Sequence, residues 1–208
     1  MGSEVSTEGG RKARGLIERR QAILDGAFTV FARRGYAQAC VKEIAQEAGV
    51  AKPTVYSHLN DKESLYREAV EAAADRIGAR GLAVVEQLRE TATDADPRAA
   101  LTAVARGLLK EFGGEDATAV RRLACAQTAQ FPDLVASVRG RTALRVRSAL
   151  ADRLARMALD GRLGGCDPEL AAEHFLSLVT GSLEYRSDAA PETVAVPAVD
   201  VFLRAYGN

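Results

Sequence analysis

The chain has 208 residues, 47% of them hydrophobic and 27% charged, with acidic and basic side chains in equal number. That composition suits one large globular domain or two smaller ones, and a net charge of zero argues against a general nucleic-acid binder. No apolar run approaches the roughly 18 residues of a membrane span, and the opening MGSEVSTEGGRKAR lacks the apolar core of a signal peptide.

The three cysteines, Cys40, Cys125 and Cys166, are far apart and form no CxxC pair, which predicts neither a disulfide framework nor a zinc site. A reduced, cytoplasmic protein that does not engage a membrane is the simplest expectation. Charge is unevenly spread. Residues 11–60 carry nine Lys/Arg against four Asp/Glu, a net of +5, whereas residues 61–208 carry 19 against 22, a net of −3. A basic N-terminal quarter on an acidic remainder is the asymmetry of a DNA-binding head on a body with another task.

Residues 1–10 hold Gly, Ser, Thr and Glu with almost nothing to bury, and read as disordered. RKARGLIERR, residues 11–20, is a basic arm, either a solvated charge run or a phosphate-contacting segment. The first helix is expected from about Gly15 to Arg34. Ile17, Leu24, Ala27, Phe28 and Phe31 form its buried face, widened by Ile23 and Val30. Gly35 ends it, and Tyr36 packs under the head. Val41, Ile44, Ala45 and Ala48 then follow the i, i+3, i+4, i+7 spacing of a helix with one buried face. Gly49 stands where a helix end wants a residue that tolerates positive φ. Pro53 suits the first turn of the next helix. Val55 anchors that helix and leaves Thr54, Tyr56 and His58 free. Two helices joined by so short a glycine turn make a helix-turn-helix, whose second helix can enter the DNA major groove.

Asn60 and Glu63 read as a capping box that starts a long fourth helix reaching Arg89 or Glu90, bent at Gly78 and Gly81. TATDADP, residues 91–97, is a polar loop. Further helices are expected over 98–112, 115–130 and 133–160. Asp167 and Pro168 supply cap and first-turn proline for a helix to about Ser187. A final helix lies within 192–206, its start moved toward Pro197. No alternating strand pattern survives, so the fold class is all-α with eight to ten helices.

Residues 35–66, GYAQACVKEIAQEAGVAKPTVYSHLNDKESLY, resemble the DNA-binding domain of the TetR family of one-component bacterial regulators. The glycine turn, the KPTVYSH helix and Lys62-Glu63 fall together in that family's spacing. FPDLVASVRGR and DPELAAEHFLSLVTG resemble its AefR-type branch. The resemblance implies a three-helix helix-turn-helix head and a larger helical-bundle body for ligand binding and dimerisation. The expected division is an arm at 1–14, a head at 15–62 and a body at 63–208. Ala39, Cys40 and Ala51 stand where the family often has Ser or Thr. Losing a helix-capping hydroxyl at Ala51 costs about 1 kcal/mol. Leu59 replaces a common Phe.

Lys52, Pro53 and Thr54 open the expected recognition helix. Lys52 can donate to guanine O6 and N7, and Thr54 can bond a base or a phosphate. The resemblance implies phosphate contacts by Tyr56, His58 and Lys62, with Val41 and Lys42 at the head of the preceding helix completing the set. A cation in a helix's first turn opposes the macrodipole, so Lys62 gains most from an anionic partner. In the body, Phe112, Gln127, Gln130, Phe131 and Phe175 are candidates for lining an effector cavity, each equally readable as ordinary core. The last two helices are implied to pair in a homodimer. His174 shares a face with Leu170 and Leu178 that is expected to be buried. The arginines of 139–156 coat a solvated face.

No catalytic motif, metal set or cofactor loop is present, so no catalytic residue, metal or cofactor is expected. The expected function is a transcriptional regulator, a repressor that binds a palindromic double-stranded operator as a homodimer and is released by a small apolar or amphipathic effector. Two alternatives are a helical small-molecule-binding protein and a redox-responsive regulator sensing through Cys40.

Overall fold

The structure, a computed structural model, describes residues 5–58, 61–90, 96–184 and 190–207, with side chains described for 14–58, 61–88, 96–181, 183 and 190–207. Among the described residues it is all helical. The elements are α1 (Val5–Gln38), α2 (Val41–Glu47), α3 (Lys52–His58), α4 (Lys62–Glu90), α5 (Pro97–Gly113), α6 (Glu115–Ala126), α7 (Leu134–Arg139), α8 (Arg145–Leu159), α9 (Pro168–Thr180) and α10 (Pro191–Tyr206). A π-helical turn, Gly140–Leu144, joins α7 to α8, and a 3-10 turn, Gly181–Glu184, follows α9.

The chain divides into two compact units. The first comprises residues 1–73 and 122–135; the second comprises 74–121 and 136–208. The first unit therefore contains a segment, 122–135, that lies far outside the expected 15–62 head.

In the first unit α1 starts at Val5, ten residues ahead of the expected Gly15. Gly35 breaks its helical path with φ 73 and ψ 171. Ile23, Leu24, Ala27, Phe28, Val30 and Phe31 are buried along α1 as its periodicity predicts. Ile17 is instead 70% exposed, and its neighbour Leu16 is 51% exposed. The apolar stripe of α1 thus continues past the last turn that has a core to face. Asn60 lies outside the described residues. Asp61 caps α4, accepting the Ser64 backbone N–H at 2.7 Å. That bond holds the Asp61 carboxyl below its usual range. Glu63, expected as the capping partner, instead accepts from Gln130 at 2.8 Å.

An aromatic cluster fills the centre of this unit. Tyr66 is fully buried, edge-on to Phe31 at 4.8 Å and stacked on Phe131 at 5.3 Å between ring centroids. Its hydroxyl donates to the Leu123 carbonyl at 2.8 Å, in the last turn of α6 where helix carbonyls lack an intrahelical partner. Burial pushes the Tyr66 pKa up to about 12. Three further ties fasten 122–135 to the head helices. Arg122 donates to the Ala32 carbonyl at 2.7 Å, Arg67 grips Asp133 through two bonds of 2.7 and 3.0 Å, and Gln130 reaches the Tyr36 hydroxyl at 3.3 Å.

The second unit has an aliphatic core. α9 packs on α8, α10 and α5, with Phe175 edge-on to Phe202 at 5.2 Å. Asp167 caps α9 by accepting from the N–H groups of Glu169 and Leu170, as expected. α9 gives way to the 3-10 turn after Thr180, short of the expected Ser187, which lies outside the described residues. α10 starts at Pro191, not near Pro197. Pro197 is tolerated inside the helix because it and Thr193, whose carbonyl loses its partner, lie on the exposed side. The expected 115–130 helix stops at Ala126, and the expected 133–160 helix carries the π turn. Opposite that turn, a Cβ on Gly78 would overlap the Arg141 carbonyl oxygen. Asp75, one turn before Gly78, pairs with Arg141 at 2.6 Å and Arg145 at 3.6 Å, so α4 is pressed onto the turn by ion pairs where glycine leaves room.

His174, Leu170 and Leu178 form an exposed stripe on α9, not the buried face expected of them. The buried face of α9 is instead Ala171, Ala172, Phe175 and Val179, rotated by one position. His174 Nδ1 lies 2.6 Å from the Tyr206 hydroxyl. Val201 of α10 is also exposed.

Candidate nucleic-acid interface

The head presents α3 through short, well-terminated elements. α2 ends in a glycine-based cap: Val50 N–H donates to the Ala45 carbonyl at 3.0 Å and Gly49 N–H to Gln46 at 3.2 Å. Gly49 has φ 65, which an L side chain adopts only at a cost. α2 approaches α1 so closely that a Cβ on Gly26 would meet the Ala48 backbone nitrogen at 2.9 Å. Arg33 donates to Glu43 at 2.8 Å and Arg34 to Glu43 at 3.4 Å, tying α1 to α2. The Arg33 hydrogen bond holds the Glu43 carboxyl below its usual range.

α3 buries one side chain, Val55, which is 1% exposed. Tyr56 is 46% exposed, Lys52 and Pro53 are exposed, and Thr54 and His58 are half-buried. The Lys52 ammonium lies 5.9 Å from the Tyr56 ring centroid, so the two side chains share one patch. Ala51 has no hydroxyl to cap α3, and the Thr54 N–H uses the Ala51 backbone carbonyl at 2.9 Å instead. Val41 is half-buried and Lys42 is exposed. Cys40 precedes α2 in an extended conformation and makes no side-chain cap bond.

Lys62 differs from the rest of the set. Its ammonium donates to the Ala37 carbonyl at 3.2 Å and sits 4.8 Å from the Tyr36 ring centroid. It pins the start of α4 to the end of α1, an internal role that its spacing in the sequence does not reveal.

The five cavity candidates are not brought together within one unit. Gln127, Gln130 and Phe131 belong to the first unit, Phe112 and Phe175 to the second. Phe131 is stacked on Tyr66, and Phe175 is wholly buried against Phe202. Gln130 and Phe131 border a cavity of about 280 Å³ whose other walls are Asp61, Glu63, Ser64, Arg67 and Glu68, a polar lining where an apolar one was expected. Sequence reasoning missed Gly26, Arg122 and Asp133. Each acts through a partner distant in the chain, and no local pattern marks such pairs. Among the described residues no three His, Cys, Asp or Glu side chains stand together as a metal site, and no helix is long and apolar enough to cross a membrane.

Comparison with known proteins matches residues 23–69 to the family described as bacterial regulatory proteins, tetR family. Residues 99–208, more than half of the chain, match the AefR-like transcriptional repressor C-terminal domain. The chain belongs to the TetR family of transcriptional regulators. As a TetR-family protein it is a DNA-binding regulator, not an enzyme. It is 28% identical over 190 residues to the HTH-type transcriptional regulator RutR of Escherichia coli O157:H7, covering 90% of this chain and 82% of RutR. It is 26% identical over 184 residues to the HTH-type transcriptional repressor Rv1474c of Mycobacterium tuberculosis, covering 88% and 90%. A solved structure of a TetR-family regulator from Mesorhizobium loti superposes with a TM-score of 0.83 at 26% identity, covering 93% of this chain and 98% of that one.

Proposed function

We propose that this TetR-family regulator is a repressor that binds a palindromic operator as a homodimer and is released by a small apolar or amphipathic effector. The observation that carries the reading is α3, which spends one side chain on the core and turns Lys52, Pro53 and Tyr56 outward. Lys52 and Thr54 read base edges, Tyr56 and His58 bond phosphates, and Val41 and Lys42 flank them at the head of α2. Lys62 contributes a phosphate contact with the donors its internal bonds leave over. The exposed stripe of Leu170 and Leu178 on α9, with Val201 on α10, supports pairing of two copies through these helices, because soluble monomers seldom leave such rows uncovered. Repression is favoured by the match to an AefR-like repressor body. An effector shifts the balance only by its differential affinity for DNA-competent and DNA-incompetent states, typically ~1–3 kcal/mol of coupling.

Sedimentation at micromolar concentration tests the dimer. The wild-type chain is expected to run as two copies and the Leu178→Glu variant as one, with helix content kept and operator affinity lost. A wild-type monomer that binds operator as tightly as any dimer contradicts the reading.

A further inference from the structure

The head carries more cations than its reading helix uses, and most of them already have work inside the protein. Arg20 pairs with Glu68, Arg33 with Glu43 and Glu47, Arg34 with Glu43, Arg67 with Asp133, and Lys62 with the Ala37 carbonyl. Arg14, Arg19 and Lys42 are exposed and, among the described residues, have no ion pair or hydrogen bond. Two of these three lie on the leading turns of α1, in the same run as Arg11 and Lys12. The surplus charge of the head therefore collects at that end.

These turns lie beyond the packed core. Leu16 and Ile17 occupy the stripe that is buried from Ile23 onward, yet both are open to solvent. A basic helical end without packing partners is unfavourable alone. Isolated helices shorter than roughly 12–15 residues are marginal in water. Arg11 and Arg14 are like charges three positions apart, Glu8 and Glu18 offset part of the run, and a net positive charge is left for a polyanion to neutralise.

Resting on the reading of the chain as an operator-binding protein, we infer that the leading turns of α1 form a second DNA-contact surface. It binds the phosphate backbone flanking the bases read by α3. Arg14 and Arg19 present guanidinium donors that match phosphate oxygens, and Arg11 and Lys12 extend the same run. At 1.5 Å of rise per residue, positions 11 to 19 span about 12 Å of helix, enough to meet more than one phosphate along a strand. The surface adds affinity and salt dependence without sequence information.

The test uses full-length protein, an operator obtained by selection from random DNA, and an unrelated duplex of the same length. A variant with Arg11, Lys12, Arg14 and Arg19 all changed to Gln is compared with wild type and with Lys52→Ala. The fourfold variant is expected to bind operator and unrelated duplex less tightly by the same factor. Its slope of log affinity against log salt is expected to fall by about 0.9 for each phosphate that the protein no longer neutralises. Trimming the duplex flanks is expected to weaken wild type and not the variant. Unchanged affinity and slope in the fourfold variant overturn the inference and leave the operator reading standing. A wild type that enriches no sequence overturns both. Lys52→Ala is expected to shift sequence preference while keeping most of the slope.

Discussion

The two units of this chain are stabilised in different ways. The first is cross-linked. Segment 122–135 is fastened to α1 and α4 by bonds between residues far apart in sequence, namely Tyr66 to Leu123, Arg67 to Asp133 and Arg122 to Ala32. The second is packed. Its helices meet through Leu, Val, Ala and Phe, and at Gly78 two backbones come close enough that no side chain fits between them. In the head, α2 and α3 bury only Ile44, Ala45 and Val55, so polar and aromatic ties among α1, α4 and 122–135 make up for missing apolar area. The body buries more aliphatic area and adds ion pairs such as Arg98 with Asp200 and Arg141 with Asp75 around that core.

Mutation should expose this contrast. The largest loss is expected in the body: Phe175→Ala removes a wholly buried ring and should cost ~3–5 kcal/mol in denaturant unfolding. Gly78→Ala follows at ~1–3 kcal/mol, since its new methyl meets the Arg141 carbonyl, a backbone atom that cannot rotate away. A Gly78→Ala protein of wild-type stability would show that α4 sits less tightly on the π turn than described.

Tyr66→Phe, in the head, is expected to cost about 1–3 kcal/mol, because the buried Leu123 carbonyl loses its donor while the ring stacking stays. Its signature lies in alkali. The Tyr66 pKa is raised from 10.0 to about 12, so its contribution is complete below pH 10 and is lost as pH rises toward 12. The Phe variant should lack that alkaline loss, and equal alkaline sensitivity in the two proteins would remove Tyr66 from the account.

The smallest effects come from the exposed pairs. Hydrogen bonds from Arg67, Arg33 and the Ser64 backbone hold Asp133, Glu43 and Asp61 below their ordinary values of 3.8, 4.5 and 3.8. Their contribution is present above about pH 4.5 and is lost as pH falls through their lowered values. Asp133→Asn should therefore flatten the acid limb of a stability profile slightly, and solvent screening keeps the change at neutral pH small.

Much of this is legible in sequence where the governing interactions are local. Gly49, Pro53 and Val55 sit within a few residues of the bonds they determine, and the structure places all three as their spacing predicts. The Asp167-Pro168 cap is of the same kind. The start of α4 is misread by one residue because Asn60 and Asp61 are both good caps, and only the Ser64 hydrogen bond distinguishes them. The buried face of α9 is misread because Leu170 and Leu178 are as apolar as Phe175, and periodicity alone does not say which of two apolar faces the chain itself covers. Segment 122–135 reads as part of the body because nothing local in it reports Tyr66 or Ala32, some 57 and 90 residues away. The surroundings of the cavity candidates are hidden for the same reason: an aromatic or a glutamine reveals its neighbours only once the helices are placed.

Selection of binding sites from random duplex DNA tests the central claim most directly. Wild-type protein is expected to enrich a two-fold symmetric sequence with half-sites centred about one helical turn or a multiple apart. Lys52→Ala is expected to alter the bases enriched, and Tyr56→Ala to weaken binding to every sequence alike. Failure to enrich any sequence, or enrichment unaffected by changes at Lys52 and Tyr56, would contradict the assignment of α3 as the reading helix.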